Sequence, residues 1–221
     1  MKAGNCSYGC AKDVPSVIPV FPLPEALLLP RADMPLNIFE PRYLAMIDAA
    51  MAGNRVVGMV QIDDAAPACA KGPGLRKIGC AGRIVSYAET GDGRYMITLT
   101  GIARFRIVEE MPQAPTPYRL CRVTAEPFAV DFDTAEQIID RNAVLRAFRA
   151  YLSAHDLDAD WESVGRASNE TLVNALAMMA PFGPAEKQAL LEAPDLKARA
   201  ETLVAIAEMA IPRAGGANTL Q

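Results

Sequence analysis

Six prolines fall between residues 19 and 41, in Pro19-Val20-Phe21-Pro22-Leu23-Pro24 and on through Pro35-Leu36-Asn37-Ile38-Phe39-Glu40-Pro41-Arg42-Tyr43-Leu44. Each proline fixes φ and removes a backbone donor, so a long helix cannot run through this block. What fits is a series of short apolar strands followed by a sharp helix entry. Pro41 suits the first helical position, where its missing N–H would have had no partner. Glu40 is then the cap residue, and Phe39, just outside, can pack on Leu44 as a hydrophobic staple.

From residue 17 to 128 the chain changes direction repeatedly, as β-rich domains do. Val56-Val57-Gly58-Met59-Val60-Gln61-Ile62 has the apolar, β-branched character of a buried strand. Residues 63–74, rich in Ala, Pro, Gly and Asp, read as an irregular, mobile loop. A strand at 78–87, a turn at Gly91-Asp92-Gly93 and the alternating Tyr95-Met96-Ile97-Thr98-Leu99-Thr100 form an antiparallel pair. Gly101 breaks the alternation as a bulge would, before Ala103-Arg104-Phe105-Arg106-Ile107-Val108 resumes it. Residues 118–123 close the set.

After residue 131 the period becomes helical. Asp133-Thr134-Ala135-Glu136 is spaced as a capping box ahead of Ile138, Leu145, Phe148 and Leu152. Ser168 and Asp195 suit two further caps, and Pro184 suits a helix start. The expected organisation is a tail over 1–16, a β-barrel over 17–128, a helical subdomain over 129–212 and a frayed tail over 213–221. That is an α+β architecture.

These segments, taken in order, resemble the Lon N-terminal domain family, the substrate-recognition module that precedes the ATPase and peptidase of Lon proteases. The likeness rests on the 19–44 block, then Gly79-Cys80-Ala81-Gly82-Arg83-Ile84, Asp92-Gly93-Arg94-Tyr95 and Gly101-Ile102-Ala103-Arg104-Phe105-Arg106-Ile107. The helical stretch 172–179, Pro181-Phe182 and Glu186-Lys187-Gln188-Ala189-Leu190-Leu191-Glu192 extend it to about residue 209. The resemblance implies a PUA-like, mostly antiparallel β-barrel with one helix packed on it, followed by a C-terminal helical bundle. It also implies a stand-alone recognition module. No phosphate-cradling Gly-x-x-x-x-Gly-Lys-Ser/Thr occurs, because Gly53 and Gly58 are followed by Met59 and not by lysine. A non-catalytic protein without cofactors is therefore expected. It would bind exposed or unfolded polypeptide as an adaptor in protein quality control, with a protease as a candidate partner.

Composition supports that class. Half the residues are hydrophobic, and the net charge of −4 lacks the basic excess of a nucleic-acid binder. RNA binding is the alternative that a PUA-like barrel raises, and the charge weighs against it. The N-terminus has no apolar signal core, and the uncharged run 171–185 is proline-broken and short for a membrane span. A cytoplasmic location is expected. Five cysteines, an odd number, point to reduced thiols, and the wide Cys69 to Cys80 spacing does not suit zinc. His155, the single histidine, sits near a helix end, and Asp63-Asp64 reads as a solvated turn.

The candidate functional positions follow. Glu40, Arg42, Arg104 and Arg106 lie in the most apolar surroundings. A partly buried ion pair is expected between Glu40 and Arg42 or Arg104, holding helix to barrel. Phe39, Glu40, Pro41, Arg42, Tyr43 and Arg104 are thus the structural motif. Met34 and Met46, with Leu28 as a third, are expected to face outward and bind polypeptide, since methionine adapts to irregular apolar partners.

Overall fold

The computed structural model describes residues 1–68, 72–111, 113–133, 137–157 and 160–211. The expected capping box over 133–136, Cys69 in the 63–74 loop, and the tail over 213–221 lie wholly or partly outside them. The N-terminal segment does not trail away as a tail. Strands β1 (Lys2–Ala3) and β2 (Cys6–Ser7) form a hairpin, and a 3-10 turn follows at Ala11–Asp13. Ala3 and Tyr8 are buried in the same cluster as Ile18, Val20 and Phe105.

Six strands make the main sheet: β3 (Val17–Pro22), β4 (Asp33–Ile38), β5 (Val56–Ile62), β6 (Leu75–Glu89), β7 (Tyr95–Glu110) and β8 (Arg119–Thr124). Their order is β4-β7-β6-β5-β3-β8, with β8 also pairing β7. All pairs are antiparallel except β3 with β5. Pairing thus runs from β7 through β6, β5, β3 and β8 back to β7. It is not a clean barrel, because β4 hangs outside that ring on the first half of β7.

The partner change along β7 occurs at Gly101, which faces Gly82 where the β6–β7 register shifts, as a bulge requires. A Cβ at Gly101 would collide with the Leu29 carbonyl, and one at Gly82 with the Leu28 side chain. These two glycines let the Leu27-Leu28-Leu29 segment lie directly on the sheet, fully buried.

Helix α1 (Pro41–Ala52) follows β4. Beyond a 3-10 segment at Glu126–Phe132 come α2 (Arg141–Ala154), α3 (Trp161–Arg166), α4 (Asn169–Met179), α5 (Pro184–Glu192) and α6 (Leu196–Ala210). The caps at Ser168 and Asp195 each accept a first-turn N–H, and Pro184 opens α5. Helix α2 begins later than its apolar period suggests. Asp140 accepts the Ala143 N–H, so Ile138 precedes the helix and is 89% exposed. No helix among the described residues is long and apolar enough to cross a membrane.

Two cores result. One gathers Ile18, Val20, Val56, Val60, Ala103, Phe105 and Cys121. The other, larger, joins α1, the leucine segment, Val57 and Met59 of β5, and the buried faces of α2, α4, α5 and α6. Alternate residues of β5 serve the two cores, as a strand buried on both faces must.

Candidate functional site

Pro41 occupies the first turn of α1 and Glu40 is its cap residue, with extended backbone at φ −72° and ψ 133°. The Glu40 side chain makes no capping bond. It accepts from Arg42 at 2.9 Å, and both side chains are more than two-fifths exposed. The expected partly buried pair is thus an exposed one. A carboxylate and guanidinium only two residues apart meet on the outer side of the first turn, where water already solvates them. The Arg42 guanidinium lies 4.5 Å from the centre of the Tyr43 ring, and that buried ring packs on Phe21 at 4.2 Å. Burial pushes the Tyr43 phenol above its ordinary pKa, with Arg42 offsetting part of the effect.

Phe39 does not fold back as a staple. It is 61% exposed, with the Arg94 guanidinium 6.0 Å from its ring centre.

The three residues expected to face outward are in the larger core. Met46 is fully buried, Leu28 is 1% exposed and Met34 9%. Met46 falls on the inward stripe of α1 with Tyr43, Ile47 and Ala50. Met34 alternates with Ile38 on the inward face of β4, and Leu28 is held by the glycine contacts described above. None of them offers surface to a partner.

The surface beside them is different. Phe21, Leu23, Leu36, Phe39, Tyr43 and Ile62, together with the prolines at 22, 24 and 73, line a groove of about 260 Å³. It sits where β3, β4 and β5 end and α1 begins. Its charged residues, Glu40 and Arg42, are the matched pair just described. Beside it, among the described residues, β4 pairs on one side only. Pro35, which has no N–H to give, sits in this edge strand, the position where a proline is tolerated in a sheet. Apolar side chains could enter such a groove while their backbone adds to a strand edge. The sequence signal for it is Pro22-Leu23-Pro24, where β3 ends: Leu23 gives the last N–H to the Val60 carbonyl, and Pro24 has none to extend the pairing.

Arg104 is buried as expected, but its partner is Asp131 and not Glu40. Nη2 meets Asp131 Oδ1 at 2.7 Å, with the side chains 1% and 6% exposed. Nη1 donates to the carbonyls of Leu191 and Ala193, and Nη2 to that of Pro194. One guanidinium from β7 thereby satisfies carbonyls at the end of α5, and its ring contact with Phe128 is 4.9 Å. Arg106 is exposed.

The remaining sequence candidates have ordinary surroundings. His155 ends α2, with Nδ1 2.9 Å from the Tyr151 carbonyl. Asp63 accepts the Ala65 N–H and lies 3.7 Å from Arg76. Cys80 and Cys121 are buried in strands, and burial raises the Cys80 thiol pKa far above its ordinary value. Among the described residues no group of His, Cys, Asp and Glu could hold a metal ion.

Comparison with known proteins gives one consistent result. The family profile described as the ATP-dependent protease La (LON) substrate-binding domain matches residues 17–208. Lon protease 2 of Myxococcus xanthus is 28% identical over 198 residues, covering 85% of this chain and 23% of that protein. The Lon protease of Anaeromyxobacter dehalogenans is 26% identical over 196 residues, covering 85% and 22%. The chain thus spans less than a quarter of the length of these relatives. Among solved structures, a Lon N-terminal domain protein from Xanthomonas campestris has a TM-score of 0.60 at 22% identity, covering 86% of this chain and 97% of that one. The N-terminal domain of a Mycobacterium avium complex Lon protease gives 0.58 at 17%, covering 87% and 98%. At such identities these two likenesses establish the fold.

Proposed function

The chain belongs to the family of Lon substrate-binding domains, and we propose that it holds exposed apolar segments of polypeptide in the groove beside β4. The observation that carries this reading is the juxtaposition of an apolar groove, an exposed Phe39 and a strand edge with one side unpaired. Side chains of an extended segment enter the groove, and its backbone adds to β4. The binding is permissive, because it reads apolar area and backbone and no particular side-chain chemistry.

We read residues 17–208 as non-catalytic, with a PUA-like sheet presenting the groove and the helices bracing it. In a cell the domain would serve as an adaptor in protein quality control, in the cytoplasm, delivering clients to a protease. RNA has no comparable support. The charges at the groove are one acid and one base, not the basic track that a phosphate backbone requires.

The test is fluorescence anisotropy with labelled, reduced and carboxymethylated α-lactalbumin, comparing the parent with Phe39→Asp. Burying a whole large apolar side chain contributes ~1.5–3 kcal/mol, and Phe39 is already partly covered, so roughly five- to thirtyfold weaker binding is expected. The melting temperature should not move, since the ring is exposed. Equal affinity in the folded variant would remove the groove from the reading.

A further inference from the structure

A second concavity, of about 350 Å³, lies where the sheet meets the helices, and it shares no lining residue with the apolar groove. Arg199 of α6 lines it and is 4% exposed. Its Nε donates to the Leu190 carbonyl at 3.0 Å and its Nη1 to Asn174 Oδ1 at 3.2 Å. Both acceptors are neutral, and among the described residues Nη2 donates to nothing. A buried charge without a counter-charge is costly, which is why buried ions are normally paired.

The carboxylates around the cavity are bonded elsewhere, and Asp131 and Glu170 act on the Arg199 charge only through space. Asp131 is bound to Arg104, and Glu170 is bound through both oxygens to Arg31. Asp195 accepts the Ala198 N–H at the start of α6. Asp133 is exposed, where solvent screens it. The first turns of α4 and α6, through Ser168, Asn169 and Leu196, also line the cavity, and the positive ends of those two helix dipoles converge on it. Burial, with repulsion from Arg104 next, pulls the Arg199 pKa down to about 10, and Asp131 and Glu170 offset only part of this.

We propose that this cavity binds a small oxyanion, a carboxylate or phosphate group, which completes the Arg199 guanidinium between the N-terminal ends of α4 and α6. The volume is at the small end of ligand pockets, suited to a compact anion and not to a nucleotide. Its lining comes from the 23–32 loop, β7, the 3-10 segment, α4 and α6, so a bound anion ties the sheet to the helices. Such a ligand stabilises the domain by mass action without touching the polypeptide groove.

The experiment titrates the full chain with inorganic phosphate and, separately, with acetate, at constant ionic strength set by sodium chloride. Calorimetry reports affinity, and NMR follows the Arg199 Nε–H resonance in the parent protein, so the result does not depend on any variant folding. Saturable binding of either anion is expected, with a Kd on the order of 1 mM, together with a shift of the Arg199 resonance. Arg199→Met should weaken it by about tenfold or more, because charge-assisted bonds to the guanidinium are the main attraction. Whichever anion binds identifies the oxyanion. No saturable binding of either up to about 50 mM, binding that leaves the Arg199 resonance unmoved, or equal affinity in a folded Arg199→Met would each overturn the proposal.

Discussion

Arg104 and Asp131 form an ion pair that is buried at both ends, 2.7 Å across, 27 residues apart in the chain. The Arg104 backbone N–H also donates to Asp131, at 2.8 Å, so the carboxylate is held by both main chain and side chain of β7. The same guanidinium fixes the end of α5. One side chain thus joins the strands, the 3-10 segment and the helices.

Breaking this pair should cost more than almost any other single change. Removing one partner of a buried pair leaves the other charged and desolvated, typically at ~3–5 kcal/mol. Arg104→Met should lose about that much in urea unfolding, and Asp131→Asn a comparable amount. The double variant should lose less than the sum, because the second change removes the charge that the first stranded. Strict additivity would mean the pair is not coupled.

Glu40→Ala should do little. Its pair with Arg42 is more than two-fifths exposed at both ends, and exposed pairs contribute ~0–1 kcal/mol. The melting temperature should stay within about 4 °C of the parent for a chain of this size. A large drop would show that Glu40 supports the helix entry in some way other than this pair.

Met46→Glu should unfold the protein or nearly so, whereas Met46→Leu should cost less than about 1.5 kcal/mol. The methionine is fully buried on the inward stripe of α1, so a glutamate there would be an unpaired charge in the larger core. Circular dichroism and thermal melts of the two variants separate these outcomes. A folded, stable Met46→Glu would mean that α1 can turn this face outward.

That face was legible in the sequence. Tyr43, Met46, Ile47 and Ala50 recur at the spacing of one helical stripe, and Met34, Leu36 and Ile38 alternate as one face of a strand. Placing Met34 and Met46 outward gives methionine's adaptability more weight than the period, and burial follows the period. Local chemistry is legible in residue type: Pro41, Pro184, Ser168 and Asp195 act where their types suggest. The start of α2 is obscured in the sequence because an apolar Ile138 mimics the helical period just ahead of the true cap at Asp140. The Arg104 partner could not be read locally, since ion pairs between distant segments leave no periodic trace. Nor could the groove be built from period alone, because it forms where three strand ends and a helix start converge.

Tyr43 gives a pH test of the groove's floor. Burial raises its phenol pKa in the folded state, while the unfolded chain titrates near about 10. Below that pH both states keep the proton, and Tyr43 adds no pH dependence. Above it the unfolded chain releases the proton that the fold retains, so stability falls as pH rises. Tyr8 and Tyr151, also raised by burial, act in the same direction, and Lys187, whose pKa burial lowers, acts in the opposite one. Comparison with Tyr43→Phe cancels these shared contributions. The parent and the variant should run parallel in urea unfolding up to about pH 10 and then diverge, the variant losing stability less steeply. Curves that stay parallel to pH 11 would show that water reaches the Tyr43 hydroxyl, and that the groove floor is open where the Phe21 contact closes it.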